Sequence, residues 1–325
     1  MKKINITTIG WGKGSYTMLS SIKWNQNYNI SAIISTSDSW GSTWVLMKEF
    51  NTPPVWDLRR GIQALSSEHE IFKQLLNYRF PKESSVWGHN LWNLIMTAMT
   101  DLNQDFEKWI KQTAKLFKVK GKVIPVTLEK HNLCVTLENG QIICWEANID
   151  EPKHNSELRI INTYLQPKVI ANKKAIKAIE KADMIVLNFW DLYTSLLPNL
   201  LVNWICQSIR KNRHAKVVYF CNLMTKWWET HGFEVLDFID TVERYLWQRV
   251  IDYVVVNNWY VSEKLAEKYE QLEWKRQVKI RDDMCFKDKK YNILERDLLH
   301  ENDFVRHSFD KIAWVIEEII KKEKL

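Results

Sequence analysis

The chain carries tryptophan where a strand–loop–helix unit calls for glycine, and this constrains its fold more than any other feature. An apolar run, Ile4 to Ile9, leads into Gly10-Trp11-Gly12-Lys13-Gly14-Ser15 and then into an amphipathic helical stretch, Tyr16 to Lys23. With glycine at Trp11 the loop would cradle a phosphate. Such a loop needs positive φ, close approach to the anion and N–H groups aimed at its oxygens. An indole at Trp11 is expected to fill the ligand's space. The counts agree: the 325 residues hold 17 Trp and 9 Gly, where average usage would give roughly 23 glycines.

The same exchange recurs at other turn positions. Ser37-Asp38-Ser39-Trp40-Gly41-Ser42-Thr43-Trp44, Pro53-Pro54-Val55-Trp56-Asp57 and Gly88-His89-Asn90-Leu91-Trp92-Asn93 all become turn-rich loops when glycine replaces tryptophan. Further segments are Asn188-Phe189-Trp190-Asp191-Leu192-Tyr193-Thr194-Ser195, Cys221-Asn222-Leu223-Met224-Thr225, Trp228-Glu229-Thr230 and Val256-Asn257-Asn258-Trp259. In this order, over residues 3 to about 310, the set resembles the bacterial gluconeogenesis-factor (YvcK-like) family. That family comprises the UDP-N-acetylglucosamine-binding relatives of 2-phospho-L-lactate transferase.

On motif grounds, Trp11, Trp40, Trp44, Trp56, Trp92, Trp190, Trp228 and Trp259 stand in glycine positions. Turn-like contexts extend the reading to Trp24, Trp145, Trp204, Trp247 and Trp274, whereas Trp109 and Trp314 sit inside helical patterns. A UGA codon read as glycine in the source and written as tryptophan is the simplest cause. A naturally Trp-rich protein and an engineered glycine-to-tryptophan variant are the alternatives.

The net charge of +7 and pI near 8.9 are modest, and the basic residues are spread along the chain. That suits a small anionic ligand without demanding nucleic acid. No apolar run approaches the ~20 residues of a membrane span, so a cytoplasmic location is expected. Five cysteines without paired spacing suggest neither a disulfide framework nor a metal site. Cys134 and Cys144 flank the Glu138-Asn139-Gly140 turn and could approach one another, but are expected to serve as apolar strand residues.

Val- and Ile-rich runs at Ile4 to Ile9, Ile30 to Ser35, Met184 to Asn188, Lys216 to Phe220 and Tyr253 to Asn257 alternate with helical patterns. This predicts an α/β fold with a doubly wound, mostly parallel, Rossmann-like sheet. One helix is expected from Leu196 to Arg210. Val123 to Leu128, Leu133 to Leu137, Ile142 to Glu146 and Arg159 to Leu165 follow one another without helices, and read as an antiparallel insertion over about 122–166. The whole chain, 1–325, is expected to form one domain.

In such a sheet ligands sit at the carboxyl ends of the strands, which gathers the polar motifs on one rim. Gly10, Trp11, Gly12, Lys13 and Gly14 form its first loop, and Asp38, Gly41 and Ser42 the second. Asp38 would accept ribose hydroxyls or cap a helix; Asp57 would likewise be an N-cap or a ligand contact. His89 and Asn93 at a helix start are candidates with packing as the alternative. Asp191, Tyr193, Thr194 and Ser195 open a helix whose hydroxyls and free N–H groups would hold an anion. Asn222, Thr225 and Asn257 complete the wall. The resemblance implies sugar-nucleotide contacts from Tyr269 and Arg306, a non-catalytic role in carbon flux and cell-wall precursor supply, no required cofactor, and UDP-N-acetylglucosamine as ligand. It leaves room for a homo-oligomer, and for the alternative of a transferase in deazaflavin synthesis. No nucleophile–base–orienter set or metal cluster stands out.

Overall fold

The computed structural model describes residues 3–37, 58–68, 70–81, 83–85, 89–103, 106–151, 155, 157–247, 250–280 and 291–325. Asp38, Gly41, Ser42 and Asp57, together with Trp40, Trp44, Trp56 and Trp87, lie outside the described residues. The strands in chain order are β1 (Ile4–Ile9), β2 (Tyr28–Ile34), β3 (Lys122–Pro125), β4 (Asn132–Leu137), β5 (Ile142–Cys144), β6 (Ile160–Gln166), β7 (Met184–Leu187), β8 (Lys216–Phe220), β9 (Tyr253–Asn257), β10 (Asn292–Arg296), β11 (Leu299–Glu301) and β12 (Val305–His307).

Among the described residues, seven strands form an all-parallel sheet in the order β10-β9-β8-β7-β1-β2-β3. The chain steps outward from β1 through β2 to β3, then returns to the other side of β1 as β7. The strand order therefore reverses between β1 and β7, and the loops leaving these two strands flank the crevice where such folds bind ligands. Isoleucine and valine dominate the strands because helices cover both faces. Ile9, Ile33, Leu187, Val217 and Val254 share one core with helices Lys173–Glu180 and Val235–Leu246. Ile6, Ile30, Val186, Val218 and Val255 share the other with helices Gly12–Ile22 and Phe309–Glu323.

The antiparallel insertion is smaller than expected. Strand β3 pairs parallel with β2, with Ser31 opposite Lys122, and is the edge of the main sheet. Only β4, β5 and β6 form the separate antiparallel sheet, in the order β5-β4-β6. Periodicity cannot distinguish these cases, because a short apolar strand reads alike in either pairing. Leu133, Val135 and Leu137 of the insertion belong to the same core as Ile9 and Ile33. The hairpin register sets Cys134 directly opposite Cys144, and the two are joined in a disulfide, contrary to the expectation of unpaired strand residues.

The helix expected from Leu196 to Arg210 is broken. Leu192–Leu196 is a π-helical turn, followed by Leu197–Leu200 and Ile205–Lys211, with Trp204 between them at φ 80°. Among the described residues seven non-glycines have positive φ, and five of them are tryptophan: Trp145, Trp190, Trp204, Trp247 and Trp274. Trp247 and Trp274 occupy left-handed C-caps of helices Val235–Leu246 and Glu263–Glu273. Glycine is the usual residue in that conformation because it lacks the Cβ that crowds the carbonyl oxygen. At Trp92 packing gives a different answer from the motif. Its side chain is fully buried in helix Leu91–Asn103 against Phe117, with ring centroids 5.5 Å apart, so the backbone there requires no glycine.

Candidate functional site

The loops after β1 and β7 are locked together by close approach. A Cβ on Gly14 would stand 1.6 Å from the Phe189 carbonyl oxygen, so only glycine lets helix Gly12–Ile22 come this near to the end of β7. Gly12 adopts φ 76°, and Gly10 lies against Asn188. Asn188 Nδ2 donates to Ser15 Oγ at 2.9 Å, fixing the first turn of the helix. Trp11 is extended, at φ −141°, and packs against the core on the helix side. It does not line the crevice, so the expectation that its indole fills the ligand's space is not met. Trp190 takes that place: its φ is 152°, its ring lies against Gly12, and Lys13 Nζ sits 5.5 Å from the ring centroid.

Between these loops is a cavity of about 110 Å³ whose lining includes Lys13, Asp191, Asn222, Thr225, Tyr269 and Arg306. Six expected site residues from separate parts of the chain thus meet in one place. Hairpin β11–β12 carries Arg306 and His307 over the cavity, held by Tyr269 Oη, which accepts from Val305 N at 3.2 Å. Thr225 both lines the cavity and holds the adjacent loop, its Oγ1 accepting from Arg276 N at 3.0 Å. Asn222 Nδ2 donates to the Trp190 carbonyl oxygen.

The cavity is electropositive. Burial first, then the charges of Arg60, Arg306 and Lys275, lower the Lys13 pKa below the usual lysine value, with Asp191 opposing. Burial and the positive charge already nearby disfavour the charged form of Lys13 relative to a free lysine; a bound anion would oppose that shift. Arg60 and Lys275 were not expected. The Arg59-Arg60 pair at a helix start was the available signal for the first, whereas Lys275 offers none.

Lys226 and Asp191 of the cavity lining belong to an ion cluster that sequence reasoning missed. Lys226 Nζ contacts Asp191 at 3.0 Å, Glu229 at 2.9 Å and Asp150. Burial opposes its charge, but Asp191, Glu229 and Asp150 hold its pKa well above the usual value. Burial pushes Glu229 up to about 7, with Lys226 pulling the other way. Oxygens of Asp150, Asp191 and Glu229 lie within 4.8 Å of one another, a spacing that could hold a divalent cation; the Lys226 ammonium is bonded to all three.

This cluster changes the roles of two expected residues, Tyr193 and Thr194. Glu229 accepts from Tyr193 N at 3.2 Å and from Thr194 Oγ1 at 3.0 Å. Tyr193, Thr194 and Ser195 are buried, and an internal carboxylate takes the helix-start donors that were expected to meet a ligand. Three other candidates do not line the cavity. Asn257 Oδ1 accepts from Leu298 N at 3.0 Å and supports the entry to the β11–β12 hairpin. Asn93 N donates to Asn90 Oδ1 at 2.7 Å in a local helix cap, while the His89 carbonyl accepts from Phe80 N at 3.3 Å. His307 stacks on Phe189 with centroids 3.6 Å apart, and burial lowers its pKa to about 3, keeping the ring neutral.

A parallel sheet that reverses its strand order beneath a cationic cavity defines a doubly wound α/β protein with its crevice at the switch point. Residues 6–299 match the family described as 2-phospho-L-lactate transferase CofD, and the chain belongs to that family. A relative from Aquifex aeolicus is 36% identical, aligned over 100% of this chain and 99% of its own. The gluconeogenesis factor of Bacillus subtilis is 32% identical, with 99% of each chain covered. A crystallised protein from Bacillus halodurans, 32% identical, superposes with a TM-score of 0.90 over 97% of this chain and 100% of its own. Among the described residues no helix is long and apolar enough to cross a membrane.

Proposed function

We infer that the protein binds a nucleoside diphosphate sugar of the UDP-N-acetylglucosamine kind in the switch-point cavity. In this reading it regulates carbon flux, cell-wall precursor supply and cell shape rather than catalysing a transfer. The observation that carries the reading is the convergence of Lys13, Lys275 and Arg306 in the cavity lining, with Lys13 in the glycine-bearing first turn of helix Gly12–Ile22 and Arg60 near enough for its charge to act on it. A diphosphate is the anion such an arrangement favours, because ammonium groups and a guanidinium line the cavity. The relatives named gluconeogenesis factor support the regulatory part.

The cavity of about 110 Å³ is smaller than the ~300–1,000 Å³ of usual small-molecule pockets. Trp190 occupies the missing space, so the reading applies to the protein with glycine at that position. A second reading, a transferase of the phospholactyl type, is favoured by the family description. Against it, the three-carboxylate spacing that could hold a divalent ion is already served by the Lys226 ammonium.

Calorimetric titration of UDP-N-acetylglucosamine into the Trp190→Gly protein tests the proposal. Binding that weakens in a further Lys13→Ala variant is expected. Absence of binding in the Trp190→Gly protein would overturn the ligand assignment, and formation of a phospholactyl deazaflavin would establish the transferase reading instead.

A further inference from the structure

A groove of about 700 Å³ lies at the opposite end of the strands from the switch-point cavity. Its floor is one face of the amino-terminal half of β1 and β2, with β3 beside them. Parallel sheets are normally covered on both faces. Here the residues on that face turn from Ile9 and Ile33 near the carboxyl ends to Asn5, Thr7, Asn29 and Ser31 near the amino ends. The floor is ordered rather than frayed: Asn29 Nδ2 donates to Asn5 Oδ1 at 2.7 Å, and Thr7 Oγ1 donates to the Ala178 carbonyl at 3.0 Å.

Helices Phe106–Leu116 and Lys173–Glu180 form the walls. They touch at their amino ends, where Asn172 Nδ2 donates to Glu107 Oε1 at 3.2 Å and Lys174 pairs with Glu107 at 2.8 Å. Among the described residues, Glu107 is the one carboxylate in the groove lining, and it is engaged by these partners. Lys111, Lys115, Lys122, Lys177 and Lys181 line the groove, are exposed, and have no carboxylate partner among the described residues.

The spacing of these lysines narrows the occupant. Lys111 and Lys115 on one wall, and Lys177 and Lys181 on the other, are each four residues apart, about 6 Å along a helix. Successive side chains of an extended peptide point to opposite sides, and those on one side repeat at roughly 6.6 Å, so a run of carboxylates in a trough would face both walls at matching intervals. Among the described residues the lining contains no aromatic ring and no arginine. Single-stranded nucleic acid is usually held by stacking on aromatic residues, and rigid bidentate anion recognition by arginine. Flexible lysines above an apolar strip of Ile110, Ala114 and Ala178 suit many carboxylates with aliphatic side chains between them.

We propose that the lysine-walled groove between helices Phe106–Leu116 and Lys173–Glu180 docks an extended acidic segment of a partner protein. The groove is separate from the switch-point cavity, so the proposal stands independently of the sugar-nucleotide reading.

The test is fluorescence anisotropy with a labelled octaglutamate peptide at about 50 mM salt, where exposed charges are only partly screened. The parent protein binds the peptide. The pairs Lys111→Glu with Lys115→Glu, and Lys177→Glu with Lys181→Glu, each weaken binding about tenfold or more. Lys264→Glu with Lys321→Glu, an exposed pair outside the groove with the same change in net charge, changes it less than twofold. All these side chains are exposed, and unchanged thermal melts confirm that the variants fold. No binding by the parent overturns the proposal, as does an equal loss in the control pair. Tighter binding of an eight-nucleotide thymidine strand than of the peptide overturns it in favour of nucleic acid.

Discussion

Glycine at Trp204, Trp247 and Trp274 should stabilise the fold relative to alanine, although alanine is the better residue almost everywhere else in a helical protein. The three tryptophans have φ of 80°, 61° and 52°, and all three are largely exposed. Both substitutions remove the indole, so lost burial and lost ring contacts cancel in the comparison. An L-residue in the left-handed region costs about 1–2 kcal/mol. Glycine gives back about 0.5–1 kcal/mol through its larger unfolded-state entropy, leaving about 1 kcal/mol per site in its favour. The three sites cap different helices, Trp204 at an amino end and Trp247 and Trp274 at carboxyl ends, and separated sites add. The triple glycine protein should therefore exceed the triple alanine protein by about 3 kcal/mol, or roughly 4 °C in Tm for a chain of this length. Trp314 supplies the opposite sign. It is exposed on helix Phe309–Glu323, where glycine should be about 1 kcal/mol worse than alanine. Urea unfolding of the two triple variants and the two Trp314 variants, compared at equal m, measures all four. Alanine matching or exceeding glycine at the three cap positions would refute the argument from backbone sterics.

Four further outcomes follow from the geometry. The gene should carry UGA at Trp145, Trp190, Trp204, Trp247 and Trp274, where φ is positive, and UGG at Trp109 and Trp314; sequencing those codons decides it, and UGG at most of the first set would sink the reassignment. In the Trp190→Gly protein, Arg306→Ala should weaken UDP-N-acetylglucosamine about tenfold by calorimetry, since a charge-assisted bond contributes roughly 1.5–3 kcal/mol, with an unchanged melt of the unliganded protein. His307, lowered from 6.5 to about 3, binds fewer protons folded than unfolded, so its stabilisation is complete above pH 6.5 and lost as pH falls toward 3; His307→Phe should flatten the pH 7 to 4.5 change in urea stability by about 2 kcal/mol, and an identical slope would contradict this. Lys226→Met leaves Asp150, Asp191 and Glu229 without their shared cation, and should cost about 3–5 kcal/mol in the same assay; a variant as stable as the parent would show that the cluster is not an energetic unit.

Much of the architecture was open to reading because its causes are local. The bounds expected for β1, β8 and β9 coincide with those observed, since an uninterrupted run of Val, Ile and aromatic residues between turn signals suits a strand buried on both faces. The positive φ at Trp145, Trp190, Trp204, Trp247 and Trp274 was legible for a related reason: backbone sterics act within one residue, and turn context announces where positive φ is needed. Lys13 and Arg306 could be proposed from their motifs, whereas Asp38, Gly41, Ser42 and Asp57 lie outside the described residues.

Sequence alone therefore determined the alternating α/β plan, the strand carrying the first loop, and the positive φ of Trp145, Trp190, Trp204, Trp247 and Trp274, but misjudged Trp92. Tertiary structure decided the rest. The return of the chain to the far side of β1 places β7 at the switch point, and the parallel pairing of β3 removes it from the insertion. Packing decided that Glu229, 36 residues beyond Tyr193, caps the π-helical turn in place of an external anion. It also decided that Lys226 gathers Asp150 from the insertion and Asp191 from the rim. Periodicity and turn chemistry are properties of a few adjacent residues, while charge pairing and burial depend on groups far apart in the chain that only the folded core brings within bonding distance.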